Sequence, residues 1–426
     1  MNKGRTLFEN YLEILKEELV PALGCTEPIA IAYAAAKARE VLGSFPEKAI
    51  LECSGNIVKN VKSVVIPNTG GLAGIRAAML AGLVGGKAAE RLEVLAHMTP
   101  AGMAEVKQLE KNQFGDIRLL NTDINLHLIL HLSSGSDTVT VELKNTHTHI
   151  CRIEKNGQLL QQEAAETRIN EGVTTDRSLL TVRDIYRFAS KVPLEWVKGI
   201  ITRQVACNMA LAEAGLCGAY GVRIGRTLLD SGQGDQVLCK IKAYAAAASE
   251  ARMGGCMLPV ITNSGSGNQS IASTVPVIVY ASEQQLPEER LYRGLVLSNL
   301  LTIHQKTSIG RLSAFCGAVS AACSSGAAIT YLAGGNLRQI NQTIHNMLAN
   351  VPGIVCDGAK PSCAAKIASC LDAAYMAHTL ARRGSQYQAG QGIIKHDVEE
   401  TIAAVGRLAS RGMRATDAEI LQIMLE

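Results

Sequence analysis

The sequence predicts an α+β protein, with a small antiparallel-sheet and helix domain (residues 1–175) ahead of a large all-α domain (residues 181–426). Three observations carry that expectation. From Ile117 to about Leu160 apolar residues recur every second position, as in half-buried strands. Beyond Thr181 the spacing becomes helical, and a polar stretch from Gln161 to Arg177 separates the two regimes. Composition agrees: 47% of the 426 residues are hydrophobic but only 4% aromatic, which suits helices packed through Ala and Gly.

Leu7, Tyr11, Leu15 and Leu19 lie on one face of an opening helix that Pro21 stops. After Gly24-Cys25-Thr26-Glu27-Pro28, a second helix runs from Ile29 to Leu42 and closes at Gly43, with Thr26 as the expected N-cap. Strands are expected at 50–53 and 63–66, then a turn at Pro67-Asn68-Thr69-Gly70-Gly71. Leu126, Leu128, Leu130 and Leu132 alternate with other residues, as do Val139, Val141 and Leu143, and Asn156-Gly157 signals a hairpin. Seven helices follow, at 194–214, 236–252, 289–306, 313–332, 337–349, 364–383 and 395–410.

A net charge of +4 without a basic run makes nucleic acid a poor candidate partner. Residues 1–20 carry charges throughout and lack the apolar core of a signal peptide. The most apolar stretch, Cys316 to Gly334, is too rich in Ser, Gly and Ala for a membrane span. Twelve cysteines in a large chain of this kind point to metal or catalytic use in a cytoplasmic protein.

Cys316, Cys356 and Cys363 stand out among those twelve, each within two residues of a glycine or another small residue. A single buried cysteine is more often a small core residue than a ligand. However, Pro352-Gly353-Ile354-Val355-Cys356-Asp357-Gly358 is a turn sequence, where a core cysteine has little reason to sit. No Cys-x-x-Cys pair accompanies them, which argues against a zinc ribbon or a dithiol redox pair. Three thiolates suit an iron–sulfur cube with one iron left open to act as a Lewis acid.

Cys25 at a helix N-terminus should have a lowered pKa, and the N–H groups there can hold a carboxylate. An ordinary capped helix with an incidental cysteine is the plainer alternative. Asn263-Ser264-Gly265-Ser266-Gly267-Asn268-Gln269 offers backbone N–H groups and amides to an anion, although flexible connectors share this composition. His147 and His149 fall on one face of an expected strand, as zinc ligands, acid or base, or solvated residues. Asp357 and Lys360 flank Cys356; both suit turn chemistry, and Lys360 could also neutralise a substrate carboxylate.

Taken together, Gly24-Cys25-Thr26-Glu27-Pro28, Asn68-Thr69-Gly70-Gly71, Gly265-Ser266-Gly267-Asn268-Gln269 and the three-cysteine set give a chain that resembles, over nearly its whole length, the L-cysteine desulfidase family. That group is also catalogued as an uncharacterised conserved family and is related to the iron–sulfur L-serine dehydratases. The resemblance implies a [4Fe–4S] cluster on Cys316, Cys356 and Cys363, without pyridoxal phosphate. Cys323, seven residues after Cys316, competes for the first ligand position, but it falls inside the apolar helix. The resemblance also implies substrate contacts at Thr26, Glu27, Asn68, Thr69, Gly265, Gly267, Asn268 and Lys360. The partner is then a small amino acid, L-cysteine, with no nucleic acid and no membrane, and with room for a homo-oligomer. The dehydratases' serine- and histidine-bearing motif gives way here to Cys-Thr-Glu-Pro, which favours cysteine over serine. Elimination of sulfide and ammonia to pyruvate needs a base, with Cys25 as thiolate preferred and His147 or His149 in reserve. The alternatives are an iron–sulfur L-serine ammonia-lyase, a pyridoxal-phosphate lyase, for which no lysine has a recognisable context, and a non-catalytic iron–sulfur sensor.

Overall fold

The computed structural model describes residues 6–162, 175–232, 234–310 and 312–426; most of the polar stretch from Gln161 to Arg177 lies outside them. Helix α1 (Leu7–Glu18) leads through strand β1 (Pro21–Leu23) into α2 (Thr26–Leu42), followed by β2 (Lys48–Cys53), α3 (Gly55–Val61), α4 (Ile75–Gly85) and α5 (Pro100–Lys111). Strands β3 (Asp116–Leu119), β4 (His127–Ser134), β5 (Asp137–Lys144), β6 (Ile150–Lys155) and β7 (Gln158–Gln162) come next. The helical part comprises α6 (Val182–Lys191), α7 (Leu194–Cys217), α8 (Ile224–Ser231) and α9 (Gln236–Met253), then the short strand β8 (Pro259–Ile261). It continues with α10 (Gly267–Glu283), α11 (Glu288–Ile309), α12 (Gly317–Leu332), α13 (Leu337–Asn350), α14 (Cys363–Arg382), α15 (Val398–Arg407) and α16 (Arg414–Leu425).

The architecture is α+β. Strands β2 to β7 form one sheet in the order β3-β2-β4-β5-β6-β7, antiparallel except for the parallel pair β2–β3. That parallel edge departs from the all-antiparallel expectation, because the chain re-enters the sheet through α3, α4 and α5 and not through a hairpin. Inward-facing Leu128, Leu130, Leu132, Val139, Val141 and Leu143 are buried, and α2 packs over β4, β5 and β6. The expected strand at 63–66 is reduced to one bridge, Val65 to Ala73. His127 is buried beside Glu142, with Nε2 2.9 Å from Oε1.

Helix contacts depend on small residues, as the composition implies. A Cβ on Gly82 would lie 2.2 Å from the Ala32 carbonyl oxygen, and one on Gly215 would lie 2.0 Å from that of Ala247. Helices α4 and α7 therefore approach α2 and α9 closer than any larger residue allows. A two-stranded ribbon, β1 against β8, pairs Pro21 with Ile261 and Leu23 with Pro259. It sets the start of α2 beside the loop that opens α10.

Candidate active site

Four helix N-termini converge on one place, those of α2, α10, α12 and α14. The Thr26 hydroxyl in the first turn of α2 donates to the Gly265 carbonyl at 2.8 Å. Gln269, in the first turn of α10, covers the start of α12 so closely that a Cβ on Gly317 would lie 2.5 Å from Gln269 Cδ. Cys316 is the N-cap of α12 and Cys363 the first residue of α14. Each such terminus carries partial positive charge and unpaired N–H groups, so together they favour an anion.

The three cysteines come together through backbone pairing. Phe315 and Val355 form an antiparallel bridge, with Cys316 N–H donating to the Ile354 carbonyl at 2.9 Å and Cys356 N–H to the Ala314 carbonyl at 2.6 Å. The Cys316 and Cys356 thiols face each other, and the interaction with Cys356, with burial, pushes Cys316 well up. The same interaction draws Cys356 below the ordinary thiol value; burial opposes this, and the charges of Lys59 and Lys366 and the Gly358 N–H support it. The Cys363 thiol donates to the Gly358 carbonyl at 3.7 Å and is pushed up mainly by burial. Cys323 lies two turns into α12, fully buried beside Gln305, where burial raises it to about 12.

Cys25, not Thr26, is the N-cap of α2, which starts at Thr26. Its thiol is buried, 3.8 Å from Met253 Sδ, and Cys363 bears on it electrostatically. The expectation of a lowered pKa is overturned: burial pushes Cys25 up to about 12, and the Arg252 guanidinium only partly offsets this. Desolvation of a thiolate outweighs the dipole of a helix end.

His147 and His149 occupy the turn between β5 and β6, not a strand, because β5 ends at Lys144 and β6 starts at Ile150. That turn meets the first turn of α2. His147 is buried, with Nε2 3.6 Å from Glu27 Oε1. Burial pushes the Glu27 carboxyl up, but His147 and Arg252 prevail and hold it below its usual value. His149 Nδ1 instead lies 3.3 Å from the Lys144 carbonyl within the turn.

The Asn68 amide donates to the Leu95 carbonyl at 2.8 Å, and the Thr69 hydroxyl to that of Ile66 at 2.7 Å, so both side chains hold their own turn. The turn abuts the Cys25 motif: a Cβ on Gly24, whose φ is +69°, would lie 2.4 Å from Pro67 Cγ. Gly265 has φ +77° and accepts from Thr26, and Gly267 starts α10 against Arg252. The Asn268 amide reaches Met253 Sδ at 3.6 Å. Lys360 and Lys366 both pair with Asp357 and fix the Cys356 loop.

Sequence reasoning missed Arg252 and Lys59, and named Gln269 only as one of the amides of the loop at 263–269. Lys59 is buried in α3, pairs with Asp417 of α16 and faces Cys356. A buried lysine or arginine has no local signature, since its burial comes from elements distant in the chain.

Among the described residues no group of three or more His, Cys, Asp or Glu side chains is arranged to hold a metal ion. The donor set nonetheless fits an iron–sulfur cube. Three thiols converge, one is drawn toward its thiolate form, and four helix ends and two lysines offset negative charge. No helix among the described residues is long and apolar enough to cross a membrane.

Known proteins resemble this chain over most or all of its length. The family described as "Serine dehydratase alpha chain" matches residues 89–422, which include the three cysteines and the loop at 263–269. A "UPF0597 protein" of Treponema denticola is 48% identical, with all of both chains covered. Another, of Lachnoclostridium phytofermentans, is 51% identical over 98% of this chain and all of that one. A third relative, from Desulfitobacterium hafniense, is 49% identical over all of this chain and 98% of its own. The chain belongs to the serine dehydratase alpha-chain family, in its UPF0597 branch.

Proposed function

We propose that the chain is a lyase that removes sulfide and ammonia from L-cysteine to give pyruvate, using a [4Fe–4S] cube held by Cys316, Cys356 and Cys363. The observation that carries this reading is the convergence of those thiols with four helix N-termini beside a buried His147–Glu27 pair. When bound, the cube would supply an open iron as Lewis acid for the departing sulfur.

The rest is the work of the chain's own residues. His147 takes the α-proton, because Glu27 stabilises the imidazolium that forms. Cys25 is a neutral thiol in this reading, so the base role passes from it to His147. Thr26 and Gly265 tie the two motifs together and keep their positions fixed. The released aminoacrylate tautomerises and hydrolyses without further help. We take the enzyme to be cytoplasmic, acting on a free amino acid without pyridoxal phosphate, nucleic acid or membrane.

Dehydration of L-serine is the second reading, favoured by the family description. Anaerobically purified protein should hold about four irons per chain, and Cys316→Ala, Cys356→Ala and Cys363→Ala should each abolish that content. L-cysteine should release sulfide and pyruvate with a higher kcat/KM than L-serine gives pyruvate. A higher value for L-serine would reverse the substrate assignment, and full iron in any single variant would remove that residue as a ligand.

A further inference from the structure

Arg252 and Gln269 carry polar groups that the protein itself leaves unmatched. Arg252 closes α9 and is 4% exposed. Among the described residues its one hydrogen bond runs from Nε to the Gly24 carbonyl at 3.1 Å, and no carboxylate stands within ion-pair distance of it. Glu27 feels its charge from beyond that distance, and a buried guanidinium with no anion in direct contact is costly unless one arrives. Glu250, two residues earlier, accepts the Val222 N–H through Oε1, and its Oε2 has no partner among the described residues.

Gln269 is 5% exposed, and its side-chain oxygen is buried without a partner. Asn268 Oδ1, one residue before it, is likewise buried and unpartnered. Unpaired buried acceptors call for a donor just as an unpaired cation calls for an anion. Both demands meet at the first turn of α10: a Cβ on Gly267 would lie 2.3 Å from Arg252 Nε, and Gln269 is two residues further on. A ligand bearing a carboxylate and an ammonium on one carbon meets both.

We infer that Arg252 binds the carboxylate and Gln269, with Asn268, the ammonium of an α-amino acid, so that this pair reads the zwitterion whatever the leaving group. The inference rests on the lyase reading for its substrate class and deepens it. It replaces Lys360, which is held by Asp357, as the carboxylate's partner. Gly267 is then required because a side chain there would occupy the space of the guanidinium.

Two half-ligands separate the roles: 3-mercaptopropionate has the thiol and carboxylate, and cysteamine the thiol and ammonium. Each is titrated calorimetrically into anaerobic holoprotein. Arg252→Gln should weaken 3-mercaptopropionate about 10- to 100-fold and cysteamine less than about twofold; Gln269→Leu should do the reverse. Arg252→Lys, which keeps the charge but not the fork, should recover part of the loss, and it carries the test if Arg252→Gln fails to fold. Equal weakening of both ligands by either variant, or no binding of either ligand to the unaltered protein, overturns the inference. Pyruvate release is scored separately: its absence overturns the lyase reading, while the ligand pattern alone decides the roles of Arg252 and Gln269.

Discussion

At the scale of single residues, the site is built from groups whose environment reverses their solution behaviour. Cys25 has the position of an activated thiol and the burial of an inert one, and burial prevails. His147→Ala should therefore cut turnover of L-cysteine by about 10²- to 10⁴-fold, the usual worth of a general base, with iron content intact. Cys25→Ser should be much milder; a larger loss of kcat in Cys25→Ser than in His147→Ala would return the base role to Cys25. Gly24 is a backbone requirement: Gly24→Ala combines a left-handed φ with a Cβ 2.4 Å from Pro67 Cγ. A loss of about 1–3 kcal/mol is expected in urea unfolding. A residue outside the site offers a pH test. Hydrogen bonding to His127, with Lys144 helping against burial, lowers Glu142 from 4.5 to about 2. A depressed carboxyl stabilises the fold above its unfolded pKa and loses that contribution as pH falls through its folded one. Wild type should thus exceed Glu142→Gln in stability by about 1–2 kcal/mol at pH 7, after allowance for solvent screening. The margin should vanish between pH 4.5 and about 2; a margin unchanged at pH 2 would contradict this.

At the scale of elements, short pairings place the chemistry. The Phe315–Val355 bridge aligns two of the thiols, and the β1–β8 ribbon sets the Cys25 motif against the α10 loop. Helix α16 acts on the same region from the C-terminal end of the chain. Its Asp417 pairs with buried Lys59 and accepts, at 2.8 Å, the N–H of Ala314, whose carbonyl accepts from Cys356 beside the Phe315–Val355 bridge. Asp417→Ala leaves the Lys59 ammonium uncompensated and should cost about 3–5 kcal/mol. Hydrogen exchange at the Cys316 and Cys356 amides should rise in the same variant, and unchanged protection there would separate α16 from the site.

At the scale of the whole molecule, the sheet and the helical part share one continuous apolar core, with α2 contributing to both. Small residues at the helix crossings make that core intolerant of volume. Gly82→Ala or Gly215→Ala would press a methyl onto a backbone oxygen about 2 Å away, which the neighbouring helix relieves only by moving. Each should lower Tm by several degrees, consistent with about 1–3 kcal/mol of overpacking. An unchanged Tm in both would mean that the helices are less closely seated than described.

Elements whose causes are local could be read from their own residues. The period-two leucines of β4, the alternating valines of β5, the Asn156-Gly157 turn and the long alanine-rich helices all form where their residues predict. The turn around Cys356 and the start of a helix near residue 26 were also legible in neighbouring residues, although the cap fell on Cys25 and not on Thr26. Other features depended on tertiary structure alone. The parallel β2–β3 edge, the turn placement of His147, the raised pKa of Cys25 and the roles of Arg252, Gln269, Lys59 and Asp417 all follow from contacts between segments far apart in the chain. Desolvation and ion pairing are set by what surrounds a group in space, and periodicity does not encode that. Propensity and capping act within one turn or one strand, so they can be read along the chain; the electrostatics of a buried site cannot.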